Sequence, residues 1–250
     1  MAKLENQPPS CYNQTMSFFI SLGIILLASL IIACLQLQPG IFALFSHYVS
    51  GKFSKSRSSS LSLFFILGVE IATACFFLCS FYIVNLLFLC QFRPEIGIFS
   101  WIMVGIFIAL SIASLFFYFR PEPGTKLFIP RRCPNMVNQR IYDLKTRQDA
   151  LVLGFFSGIF ELPFTFPLYL ITSFEVSEMS PEFYPTNLTY IIFILAPIVP
   201  LLLIKLRFKA GYNLADIQKS RVKNKNFTRI ILSLSYLTIA ILLIYFRINL

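Results

Sequence analysis

The chain has 250 residues, 57% hydrophobic and 13% charged, with a mean hydropathy of +0.75. Globular proteins carry about 25% charged residues, and 29 phenylalanines beside one histidine leave too few polar groups to cover a water-soluble surface. This excludes an ordinary soluble enzyme; the net charge of +10 is confined to short segments between apolar runs, a positive-inside bias rather than a nucleic-acid surface.

At 1.5 Å per residue, about 20 apolar residues cross roughly 30 Å of hydrocarbon. After a polar tail over residues 1–16, the run from Ser17 to Leu37 is too long for the apolar part of a signal peptide and is read as a retained first span. It is followed by Pro39 to Gly51, too short to cross and read as a bent continuation of that helix. Further spans are expected at Leu61 to Cys90, Ile96 to Phe119, Ala150 to Thr172, Leu188 to Ile204 and Ile230 to Phe246. Lys52, Lys55 and Arg57 follow the first span, seven basic residues from Arg120 to Arg147 follow the third, and eight from Lys205 to Arg229 follow the fifth. These three loops belong on the cytoplasmic side of an inner or plasma membrane, which leaves both termini outside. The loop between spans four and five is read as acidic, with Glu175, Glu178 and Glu182.

A shift of 128 residues places the first three spans over the last three, so that PGIFALF at 39–45 falls on PLYLITS at 167–173. Because each half has three spans, the second enters the membrane from the opposite side. The expected fold is therefore all-α, with six transmembrane helices in two inverted three-helix repeats, 17–119 and 150–250, joined by a basic loop over 120–149. In such arrangements interrupted helices meet near mid-depth and form the substrate site. The interruptions expected here are Gln36 to Gly40 in span one and Glu161 to Pro167 in span four. Proline lacks an N–H and clashes with the preceding turn, which frees carbonyls for other partners. Gln36, Gln38, Pro39, Gly40, Pro163, Thr165 and Pro167 are the candidate substrate-binding residues, with a packing kink as the competing reading.

Glu70 and Glu161 lie within apolar runs. An ionised residue at the centre of a membrane helix costs about 2.5 to 3.5 kcal/mol on insertion scales and normally faces a cavity or a partner. Both are candidates for proton coupling or cation binding; the alternative is a neutral carboxyl bonded to a neighbouring helix. The six cysteines form neither a disulfide framework nor a zinc pattern, and Cys34, Cys75 and Cys79 are read chiefly as small residues at helix contacts. His47 is read as an interfacial polar residue, and Trp101 as an interfacial anchor. With no GxxxxGK[ST] loop, metal-ligand cluster, haem motif or catalytic triad in the sequence, no enzyme activity, metal or cofactor is expected.

The first-half run LASLIIACLQLQPGIFALFSHYVSGK, then FFILGVEIATA, and the second-half run LGFFSGIFELPFTFPLYLI resemble the six-span LysE-type exporters and their relatives in thiol-reductant transfer, the CcdA/DsbD membrane domains. The matching positions are Pro39, Gly40, Glu70, Gly154, Phe155, Pro163 and Pro167. The thiol carriers place a cysteine directly after the break proline, where this chain has Gly40, Phe164 and Leu168; the exporters' fuller motif has other residues where this chain has Ile41 and Leu162. The resemblance implies a secondary transporter of a small metabolite or ion, working by alternating access. Thiol-disulfide transfer and a non-transporting assembly subunit are the alternatives. The partners implied are membrane lipid and a small-molecule or ion substrate, without nucleic acid, and with homo-oligomerisation left open.

Overall fold

The computed structural model describes residues 11–35, 37–89, 93–116, 136, 139–178 and 186–249. All the regular structure among them is helical: α1 (Cys11–Cys34), α2 (Leu37–Lys52), α3 (Lys55–Leu89), α4 (Arg93–Phe116), α5 (Arg147–Glu178), α6 (Thr186–Lys209), α7 (Leu214–Lys223) and α8 (Lys225–Asn249). Six helical stretches are long and apolar enough to cross a membrane, α1 and α2 together forming the first. With six crossings, the start of α1 and the end of α8 lie on one face, and the basic connections on the other. Leu78, Trp101, Leu203 and Ile241 are each more than half exposed, as side chains bathed in lipid are.

Two of the sequence expectations are corrected in detail. The first span is divided between α1, ending at Cys34, and α2, beginning at Leu37, and Pro39 and Gly40 lie inside the first turn of α2. Proline is tolerated there because the amides of a helix's first turn have no intrahelical acceptor. Span four does not unwind: α5 runs continuously through Pro163 and Pro167. Side-chain hydroxyls serve the carbonyls around these prolines, Thr165 Oγ1 donating to the Glu161 carbonyl at 3.2 Å and Tyr236 Oη of α8 to that of Phe164 at 3.0 Å. The basic connection after α6 also contains a helix, α7, whose first turn is tied by the Asn213 amide donating to Asp216 Oδ2 at 3.1 Å.

The helices pack around two apolar clusters stacked along the bundle axis. The one nearer the terminus-bearing face joins Ile24 and Ile31 of α1, Leu35 just after it, Phe77 of α3, Phe107 of α4, Leu168 and Phe174 of α5, Phe193 of α6, and Tyr236 and Ile239 of α8. The other joins Phe42 and Phe45 of α2, Phe65 and Val69 of α3, Leu153 of α5, Leu201 of α6 and Ile217 of α7. Between them lies a polar layer bounded by Val69 and Phe77 on α3 and by Leu153 and Leu168 on α5. At the α4–α8 contact Ser111 Oγ donates to the Ser233 carbonyl at 2.9 Å, and the Arg229 guanidinium donates to the last carbonyls of α4, Leu115 and Phe116.

The closest seam joins α3 to α5. A Cβ on Gly68 would run into the Leu151 carbonyl, a Cβ on Gly154 into the Phe65 carbonyl, and one on Gly158 into the Ala72 methyl at 2.7 Å. Gly68 with Ala72, and Gly154 with Gly158, are small residues four apart, the spacing that lets membrane helices approach at backbone distance. We predict that Gly68→Ala and Gly154→Ala each destabilise the protein by about 1 to 3 kcal/mol, as overpacking does. Gly105→Ala, where an added Cβ meets nothing, should be neutral or mildly stabilising. Thermal unfolding of the three variants in detergent measures the difference.

Candidate functional site

The polar layer is assembled from four helices. Glu161 of α5 is 2% exposed, and its Oε1 accepts a hydrogen bond from the backbone amide of Gln38 at 3.2 Å. That amide is available because the chain breaks before Leu37, leaving the first amides of α2 without intrahelical acceptors. A helix N-terminus carries roughly half a positive charge, so a carboxylate there is favoured by about 0.3 to 1 kcal/mol, and by more when partly buried. The break in the first span and the acid in the fourth thus satisfy each other. It is the main chain of Gln38 that makes this bond.

Around this contact lie the remaining polar groups. Tyr169 of α5, 3% exposed, lies beside Thr73 of α3 and Thr165 of its own helix. Tyr236 of α8 is fully buried, its hydroxyl held by the Phe164 carbonyl. Both carboxyl oxygens of Glu70 are buried and have no hydrogen-bond partner among the described residues. A buried acid left this way calls for water, a proton or a bound ion. Of the expected site residues, Gln38, Glu70, Glu161 and Thr165 are therefore brought into one layer. Pro163 and Pro167 flank Thr165 on the unbroken α5, and Gln36 lies outside the described residues.

Pro39 and Gly40 follow Gln38 in the same first turn of α2. The guanidinium of Arg221, reaching up from α7, occupies the space where a Gly40 side chain would begin, with Nη1 2.8 Å from the position of an added Cβ. Gly40 admits a cation beside the start of α2, and α7 covers the site from the basic side. Further out, a cleft of about 600 Å³ is lined by Leu44, His47, Tyr48, Lys52, Tyr142 and Leu214 among others. Here Lys52 Nζ donates to Tyr48 Oη at 2.6 Å, which donates to the Tyr142 carbonyl at 2.9 Å.

Three residues depart from their expected places. Cys75 and Cys79 lie on the exposed face of α3 rather than at a helix contact. Glu175, read from the sequence as part of an outer acidic loop, lies within α5, is fully buried, and accepts a hydrogen bond from Ser21 Oγ of α1. A signal for it is present in the sequence. Ser157, Glu161, Thr165, Leu168, Thr172 and Glu175 follow one another at steps of four and three, one helical stripe, and every one is buried. The most polar stripe of α5 is the one turned away from lipid.

Comparison of the chain with protein-family models, with curated proteins and with solved structures finds no match to any of them.

We predict that Glu161→Ala, which leaves the Gln38 amide without an acceptor in a buried layer, costs about 1 to 3 kcal/mol. Glu161→Gln keeps an acceptor oxygen and should cost less. Unfolding in detergent gives the stabilities, and faster deuterium exchange at the Gln38 amide in Glu161→Ala alone identifies the lost bond as the cause.

Proposed function

We propose that the protein is a secondary transporter of a small metabolite or ion, working by alternating access around the polar layer, with Glu161 and Glu70 as the groups that exchange protons or a coupling cation. The observation that carries this reading is the Gln38 amide donating to the buried Glu161 carboxyl. A helix N-terminus exposed inside a membrane bundle is how broken-helix transporters hold charged groups at mid-depth. Glu70, with two buried and unpartnered carboxyl oxygens, supplies a second ionisable group in the same layer. Arg221 and α7 act as the cover on the cytoplasmic side, where the excess of lysine and arginine on these connections places them.

The helix pairing supports two inverted repeats. Exchanging the halves turns the α3–α5 contact into contacts of α6 with α1 and α2, and the α1–α8 contact into α4–α5; all of these occur. The α4–α8 and α3–α6 contacts map onto themselves and occur as well. The halves differ in detail, since the first span is two helices and the fourth is one continuous helix that carries Pro163 and Pro167.

The test uses purified protein in vesicles loaded with a defined mixture of amino acids and other small metabolites. Mass spectrometry identifies what leaves when a pH or sodium gradient is imposed. At least one solute should leave faster than from protein-free vesicles, and Glu161→Gln and Glu70→Gln should each lower gradient-driven efflux by about tenfold or more, within the usual range of coupling free energies. Asp143→Asn, an exposed acid remote from the layer, should change nothing. Unchanged gradient-driven efflux in both glutamine variants overturns the coupling role.

A further inference from the structure

The cleft on the basic side is built on one stripe of α2. Leu44, His47, Tyr48, Gly51 and Lys52 recur at helical spacing and line it, and Ile141, Tyr142 and Leu214 face them across a volume of about 600 Å³. Another stripe of the same helix, with Phe42, Phe45 and Val49, is buried in the apolar cluster. The lining stripe changes character along its length. Leu44, at the bilayer end, is an exposed apolar side chain, and Lys52, at the last residue of the helix and of the first span, is an exposed cation. The cleft is therefore apolar toward the hydrocarbon and positive toward the water.

The cation is held in place. Lys52 Nζ donates to Tyr48 Oη at 2.6 Å and lies 5.0 Å from the centre of the Tyr48 ring and 5.7 Å from that of Phe53. The Tyr48 proton is committed to the Tyr142 carbonyl at 2.9 Å, which leaves the phenol oxygen to accept from the lysine. An ammonium carries three donors, and this arrangement uses one of them. None of the partners of Lys52 among the described residues is a carboxylate. The acids nearby serve the backbone or lie outside the lining: Asp149 Oδ2 accepts from the Lys145 and Thr146 amides at 3.1 and 2.7 Å, Asp216 Oδ2 from the Asn213 amide, and Asp143 is exposed beside Tyr142. Next to the cleft, Arg57 stacks on the Phe53 ring at 4.7 Å and adds to the positive field. Two ammonium donors thus remain for a ligand, in a cleft that no acidic residue lines.

We propose that this cleft binds the phosphate headgroup of an anionic membrane lipid, with Lys52 as the phosphate ligand and Leu44 against the start of an acyl chain. The shape of the site favours a lipid over a soluble phosphate. The first span ends at Lys52, so the cleft opens at headgroup depth, and only an amphipathic ligand uses both its apolar and its positive end. Gly51 keeps the space free: a Cβ added there meets no protein atom within 4 Å. The site is separate from the Glu161 layer and does not depend on the transport reading.

The experiment titrates the delipidated full chain in detergent with phosphatidylglycerol, with phosphatidylcholine and with glycerol 3-phosphate, and reads the first bound molecule by native mass spectrometry. Phosphatidylglycerol should bind at least about fivefold more tightly than phosphatidylcholine, the worth of one cation at an anionic lipid surface. Lys52→Gln should abolish that preference. Gly51→Leu, which keeps every charge and fills the free space, should weaken phosphatidylglycerol binding to a similar extent. Lys219→Gln, the same loss of charge on an exposed residue of α7 outside the lining, should leave it unchanged. Lipid-free melting temperatures of the variants close to that of the native chain establish that each has folded. Equal losses in Lys52→Gln and Lys219→Gln, or full binding by Gly51→Leu, overturn the site in favour of diffuse surface charge. Glycerol 3-phosphate binding as tightly as phosphatidylglycerol overturns the lipid as occupant.

Discussion

A carboxyl group at the centre of a membrane bundle has to find a partner there, and Glu161 finds one in the backbone amide of Gln38. That contact requires a helix to begin at mid-depth, which explains why the first crossing is two helices rather than one. It also explains why proline can stand at position 39, since the first turn of a helix does not use the missing amide. The two apolar clusters are the counterpart of the same constraint: each seals one half of the bundle, and the polar groups are gathered between them.

The spans were legible because hydropathy over 20 residues is the strongest signal a membrane chain carries, and all six appear at the expected places. The depth and identity of the two glutamates were legible for the same reason, since an acid inside an apolar run is conspicuous. The proline breaks were less so. Pro39 marks a helix start rather than a gap, and Pro163 and Pro167 stand within an unbroken α5, where Thr165 and Tyr236 donate to the Glu161 and Phe164 carbonyls. One of those partners lies 72 positions along the chain, beyond what local sequence can show. Glu175 was misread because it falls near the end of an apolar run, where loops begin; only the spacing from Ser157 onward reveals that it belongs to a buried face. Cys75 and Cys79 share a face as their spacing requires, but nothing in that spacing says the face meets lipid.

Glycine and arginine divide the labour on the basic side. Gly40 leaves a space that the Arg221 guanidinium fills, so a cation enters the bundle beside a helix start that already favours negative charge. Glu161 is held at that start from the other side. The positive character of this region comes from the fold as much as from the side chains, and it makes an acidic residue at position 161 the natural complement.

The glycine contacts between α3 and α5 carry a mechanical implication. Two rods whose main chains touch over two full turns have no lubricating layer of side chains to slide on, so they behave as a single beam. A rearrangement of the kind proposed for transport would have to leave that beam undeformed. In that proposal the movement would fall on the joint between α1, which ends at Cys34, and α2, which begins at Leu37.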